Sequence, residues 1–142
     1  MPRIAYVNGR YVPHGEAAVH VEDRGYQFAD GVYEVICIHR GGFVDGDGHM
    51  TRLTRSLKEL QIAWPMSPSA LSIVMRELVR RNRVREGIIY LQITRGVASR
   101  DHAFPATSES SLVLTTKHVP PFELASARQG IDVITIPDIR WK

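Results

Sequence analysis

Cysteine occurs once, at position 37, in a chain of 142 residues. A disulfide framework and a cysteine-based zinc cluster are excluded by that count, and no metal is expected. No apolar run approaches the roughly 20 residues that span a bilayer. The stretch from Met1 to Arg10 has no apolar core of the kind a secretory signal needs. A reduced, cytoplasmic setting is therefore expected, with no membrane partner. Lysine is scarce, with Lys58, Lys117 and Lys142 standing against fifteen arginines. Any chemistry that needs an amine has few candidates here. The P-loop, the dinucleotide-binding glycine pattern, H-E-x-x-H and G-x-S-x-G are all missing. Asp45-Gly46-Asp47-Gly48 lacks the register and the closing Glu of an EF-hand.

What remains is a chain with 44% hydrophobic and 23% charged residues and a net charge of +3. That composition suits one globular domain, or one domain and the edge of another. Asn8-Gly9 between Ile4–Val7 and Arg10–Val12 predicts a hairpin with a type I′ turn. Pro13 to Asp30 reads as a polar loop. Val32–His39 is rich in strand formers and returns through Arg40-Gly41-Gly42 into Phe43-Val44. Strand alternation puts Tyr33, Val35 and Cys37 on one face, and Val32, Glu34, Ile36 and Ile38 on the other.

Two helices follow. Met50, Leu53, Leu57 and Leu60 make one apolar stripe from about His49 to Ile62. Ser67-Pro68 caps the second helix, whose stripe is Leu71, Val74, Met75, Leu78 and Val79, with Gly87 as its stop. Ile88–Thr94 and Leu112–Thr116 are predicted strands, Val119–Phe122 a linker, and Ile131–Ile136 a last strand that begins something unfinished. An unpaired strand of that kind should dimerise, swap or stay poorly ordered. Segregated strands and helices predict an α+β fold, a mixed or antiparallel sheet with two helices.

Three features carry possible chemistry. In the loop between the predicted strands Ile88–Thr94 and Leu112–Thr116, Arg100 and His102 project to one side if the backbone is extended. They would form a small anion trap, although a solvated loop fits the spacing as well. Arg52, in the predicted first turn of its helix, opposes the helix dipole unless an anion lies nearby, and a phosphate is one such anion. A surface arginine is the plain alternative. Glu34 reads as an edge or salt-bridged residue, and His49 as a residue of the cap region. The run Arg80–Arg85 reads either as a solvated helix end or as part of a non-catalytic basic domain that binds nucleic acid.

Asp23-Arg24-Gly25-Tyr26-Gln27-Phe28-Ala29-Asp30-Gly31-Val32-Tyr33-Glu34-Val35 closely resembles the N-terminal signature of the D-amino-acid aminotransferases. These are fold-type IV, class IV enzymes that use pyridoxal 5'-phosphate. His49-Met50-Thr51-Arg52-Leu53 resembles their H-x-x-R-L helix. Tyr90–Gly96 followed by Arg100–Pro105 resembles their substrate loop, and Asp138-Ile139-Arg140-Trp141 the stretch before their Schiff-base lysine.

The resemblance implies the small N-terminal domain of such an enzyme over 1–119. It implies an interdomain linker and the first strand of a second domain over 120–142. It gives Arg52 the cofactor phosphate. Tyr33, Arg100 and His102 take the substrate carboxylate, the last two reaching in from the partner of a homodimer, and Val35 and Tyr90 line the pocket. Asp101 replaces the small residue usual between Arg100 and His102, and pairing with Arg100 would weaken the trap. Lys142 follows Trp141 too closely to be the family lysine, so no catalytic residue is expected in this chain. The 142 residues alone are expected to be inactive and not to bind the cofactor. The implied reaction moves an amino group between D-amino acids, D-alanine and D-glutamate, and 2-oxo acids, without nucleic acid. A branched-chain aminotransferase or an aminodeoxychorismate lyase, which share the fold, are the alternatives within the class.

Overall fold

Asn8 and Gly9 both take positive φ, 43° and 89°, as a type I′ turn requires. They join β1 (Ile4–Val7) to β2 (Arg10–Pro13). Arg40 and Gly41, with φ of 51° and 81°, make the second tight turn, between β3 (Gly31–His39) and β4 (Gly42–Phe43). The computed structural model describes residues 3–120 and 128–139. Its other strands are β5 (Gly87–Thr94) and β6 (Ser111–His118). Six strands form one sheet in the order β2-β1-β6-β5-β3-β4, and every pairing is antiparallel.

Helices cover one face of this sheet. α2 (Gly46–Glu59) packs on β3, and α3 (Pro68–Arg81) packs on β1 and β6. Between them lie Ile36, Ile38, Leu53, Leu57, Leu71, Leu78, Ile89, Leu91, Ile93, Leu112 and Leu114, all at most 2% exposed. Each such side chain contributes about 1.5–3 kcal/mol by leaving water. The Ser67 hydroxyl accepts from the Ala70 amide and starts α3 where the sequence places it.

Several expectations need correction. Arg24–Phe28, read as loop, is a short helix, α1, because the Asp23 carboxylate caps it by accepting from the Gly25 amide at 2.8 Å. α2 starts at Gly46, about a turn before the predicted start, so Arg52 lies in its second turn. Leu60 is 42% exposed, and Ile62 takes the buried place beyond the helix end. α3 ends at Arg81 with Asn82 as its cap, whereas Gly87 opens β5.

Residues 131–139 have no regular structure, and Ile131, Val133, Ile134 and Ile136 are exposed. Strand propensity does not make a strand where no neighbour supplies hydrogen bonds. Of the predicted linker, Pro121 and Phe122 lie outside the described residues.

Candidate active site

The uncovered face of the sheet carries alternate residues of β3 and β5. Tyr33, Val35 and Cys37 share that face, as strand alternation predicted, and are exposed on it, while Tyr90 and Gln92 are half-buried. Val35 pairs with Tyr90 and Tyr33 with Gln92 in the β3–β5 register. The Tyr33 and Tyr90 rings stack at 5.9 Å, and the Tyr90 hydroxyl donates to Gln92 Oε1 at 2.7 Å. Three of the predicted site residues, Tyr33, Val35 and Tyr90, are thus one patch with restrained side chains.

The same strand alternation turns Glu34 into the interior, at 2% exposure. It is not an edge residue. Arg52 answers it from α2: Nε donates to Oε1 at 2.8 Å and Nη2 to Oε2 at 2.6 Å. His49, one turn earlier, adds a contact from Nδ1 to Oε2 at 2.8 Å. Glu34 is the anion that excuses a cation near this helix start. Burial by itself would raise the Glu34 pKa. The hydrogen bonds and charges of Arg52 and His49 outweigh it and hold the group below its ordinary range.

Arg52 is otherwise open, with 57% of its side chain exposed. It borders a cavity of about 310 Å³ together with Tyr33, Glu34, Val35 and Ser56. Among the described residues, nothing accepts from Nη1. A guanidinium fixed along one edge and bare on the other, with a hydroxyl beside it, is a donor set that fits a phosphate.

Arg100 and His102 lie elsewhere, exposed on the loop between β5 and β6. They do converge. The Arg100 guanidinium sits 5.2 Å from the centre of the Phe28 ring, and the His102 ring 5.4 Å from it. Among the described residues no group accepts a hydrogen bond from Arg100. The Asp101 carboxylate does not pair with it and instead accepts from the Ala103 amide at 3.1 Å.

Sequence reasoning missed the network beneath this loop. Asp30 is shared by Arg24 and Arg95, whose Nε atoms both donate to Oδ2 at 2.8 Å, while Arg95 Nη2 donates to Oδ1 at 3.0 Å. The side chains of all three are 10% exposed or less. Arg95 also donates to the Leu60 and Gln61 carbonyls. Gly25 and Gly96 allow the close approach. A Cβ on Gly25 would lie 2.2 Å from Thr94 Cγ2, and one on Gly96, at φ +95°, 1.8 Å from the Glu109 carbonyl oxygen. As with Glu34, burial pushes the Asp30 pKa up, but Arg95 and Arg24 outweigh it and hold the carboxyl below its ordinary value.

Both carboxylates therefore titrate lower in the folded chain than in the unfolded one. Their contribution to stability is complete above the ordinary values of 3.8 and 4.5 and is lost as pH falls through the folded values. Urea midpoints taken from neutral to strongly acidic pH should hold level and then drop below about pH 4.5. Asp30→Asn and Glu34→Gln should each flatten that drop, and an unchanged acid limb in both variants would contradict the assignment.

Two of the four arginines in the run, Arg80 and Arg81, are spent on local contacts. Arg80 and Arg81 both donate to Glu77 at 2.7 Å, and Arg81 also covers the Tyr11 ring at 4.2 Å. They hold the Glu77 pKa down at about 2. Among the described residues there is no cluster of His, Cys, Asp and Glu fit for a metal, and no helix long and apolar enough to cross a membrane.

Comparison with known proteins adds the following. Residues 31–141 match the amino-transferase class IV family. A D-alanine aminotransferase of Bacillus licheniformis is 41% identical over 134 residues, which is 94% of this chain and 47% of that one. The chain spans about half the length of the curated relatives it matches. The solved structure of a branched-chain amino acid aminotransferase from T.th., with pyridoxamine 5'-phosphate, has the same fold. Its TM-score is 0.78 at 21% identity, over 86% of this chain and 41% of that chain. A 4-amino-4-deoxychorismate lyase from Pseudomonas aeruginosa gives 0.70 at 25% identity, over 89% and 44%.

Proposed function

Because the chain belongs to the class IV aminotransferases, we propose that it forms the small-domain half of an enzyme that moves an amino group between D-amino acids and 2-oxo acids, with D-alanine and D-glutamate as donors and products. The observation that carries this reading is the convergence of Arg100 and His102 on the Phe28 ring, with the Arg100 donors open. A planar fork beside an imidazole suits a carboxylate. Its likeness to D-alanine aminotransferases at 36–41% identity favours the D-amino-acid branch over the branched-chain and lyase branches.

Each residue then has a task. Arg52 holds the cofactor phosphate with the edge that Glu34 leaves free, and the buried carboxylate stops the fork from rotating. Tyr33, immobilised on Tyr90, offers its hydroxyl to the substrate carboxylate. Val35 and Tyr90 form the wall against the side chain. Pyridoxal phosphate, when bound, supplies the electron sink for loss of the proton at the α-carbon. The lysine that moves that proton belongs, on this reading, to the part of the protein matching the other half of the relatives. Residues 1–119 are then the small domain, and 120–142 are the linker and opening of a second one. The protein is a homodimer in which Arg100 and His102 serve the partner's site, and it works in the cytoplasm.

The test uses the product of the complete reading frame that holds this chain. Its absorption band near roughly 410–420 nm should vanish on adding D-alanine and survive L-alanine. Loss with L-donors alone would move the protein to the branched-chain branch. Absence of any such band would remove the enzymatic reading and leave a basic binding domain, whose nucleic-acid affinity would fall steeply with salt.

A further inference from the structure

Arg24 is 3% exposed, yet the site just described assigns it no task. Its Nε donates to Asp30 Oδ2 at 2.8 Å. Its Nη1 donates to the Asp101 carbonyl at 2.8 Å and to the Ala103 carbonyl at 3.3 Å. Those two carbonyls flank His102. The Arg24 guanidinium also lies 4.8 Å from the centre of the Phe28 ring, the ring that Arg100 and His102 approach. One buried cation thus grips both the loop backbone and the platform on which the loop's two side chains rest.

Arg95 makes the contrast. It shares Asp30, but its remaining donors go to Leu60 and Gln61, just past α2. Of two arginines on one carboxylate, only the first hydrogen-bonds the loop backbone; the second meets the loop through the Phe104 ring, at 4.1 Å, and spends its donors on the helix end.

We propose that Arg24 is a positioning residue, which clamps the Arg100–His102 segment onto Phe28 and so sets the spacing of the two groups that receive the substrate carboxylate. The proposal rests on the carboxylate role given to Arg100 and His102 above. A segment running from Arg95 to Ser110 without regular structure has many conformations to lose. Exposed side chains such as Arg100 and His102 cannot select one of them unaided. A fork spreads its donors over separate nitrogens, here Nε to the carboxylate and Nη1 to the two carbonyls, whereas an ammonium offers all of its donors from one point.

Arg24→Lys and Arg95→Lys, compared in parallel, test this, since both keep a cation beside Asp30. Hydrogen exchange of the Ala103 amide, the one in 99–104 with an acceptor among the described residues, should quicken about tenfold or more in Arg24→Lys, the scale of one lost charged hydrogen bond. It should stay unchanged in Arg95→Lys, where residues near 60–63 quicken instead. In the product of the complete reading frame, Arg24→Lys should raise KM for D-alanine about tenfold with a smaller change in kcat.

Unaltered exchange at Ala103 in a folded Arg24→Lys protein overturns the proposal. So does faster exchange with an unaltered KM when Arg100→Ala does raise KM. Faster exchange with KM unaltered in both variants sustains the clamp and overturns the carboxylate reading instead. If Arg24→Lys fails to fold, Phe28→Leu, which removes only the ring, must quicken the same amide, and unaltered exchange there overturns the clamp.

Discussion

Replacing Asp30 with alanine should cost about 3–5 kcal/mol of folding free energy, the range for removing one partner of a buried ion pair. Asp30 is the only carboxylate that either Arg24 or Arg95 reaches among the described residues. Without it, two guanidiniums stay 9% exposed or less beside each other, with no anion between them. Their other hydrogen bonds run to carbonyls of Leu60, Gln61, Asp101 and Ala103, which cannot neutralise charge. Like charges crowded in a poorly hydrated place repel strongly. The damage should also spread, since α1, the end of α2 and the loop between β5 and β6 are all tied to this carboxylate through the two arginines.

Asp30→Asn should lose less, because its amide oxygen still accepts from one arginine while its NH₂ faces the other. Glu77→Ala provides the surface comparison: it also releases two arginines, Arg80 and Arg81, but into water. That change should hardly move the urea midpoint. An Asp30→Ala protein within about 1 kcal/mol of wild type would mean that the pair is replaceable and not what holds these elements together.

The contrast between Asp30 and Glu34 shows where the sequence stops being informative. Glu34 shares a strand face with Ile36 and Ile38, and a carboxylate on a core-facing position has to find a cation. Period-two alternation therefore announced its burial, and only the bland expectation for a lone strand glutamate hid it. Its partner Arg52 is 18 residues away and no local pattern names it. Asp30 offered no such signal. It lies between α1 and β3, where neither helical nor strand periodicity runs, and its partners are 6 and 65 residues off.

Local chemistry was legible where a single residue decides the backbone. Asn8-Gly9 fixed a turn and Ser67-Pro68 a helix start. It failed where an element is too short to show a period, as in five-residue α1, or where propensity lacks a neighbour, as at Ile131–Ile136. The candidate site shows the same division. Tyr33, Val35 and Tyr90 share a face by register, and alternation foretold that for β3. The approach of Arg100 and His102 to Phe28 joins two distant parts of the chain that only the fold brings together.

Arg100→Ala should lower kcat/KM for D-alanine by about 10²–10³, since each charge-assisted hydrogen bond to a carboxylate contributes about 1.5–3 kcal/mol and a fork makes two. Most of the loss should fall on KM, because the carboxylate is gripped equally before and during reaction. Stability and the cofactor band should remain, for Arg100 is exposed and its guanidinium lies near the Phe28 ring without a hydrogen-bond acceptor among the described residues. Asp101→Ala should change KM little, since that carboxylate serves the Ala103 amide and not the fork. A large effect there would return Asp101 to the trap. Subunit exchange then tests where the trap acts. An Arg100→Ala protomer keeps Arg52 and Tyr33, and an Arg52→Ala protomer keeps Arg100. If the loop serves the partner's site, a mixed dimer has one complete site, and at D-alanine well below the variants' KM equal mixing restores roughly a quarter of the wild-type rate from two proteins that show little of it alone. If the loop serves its own subunit, each protomer carries its own defect into the mixed dimer and mixing restores nothing.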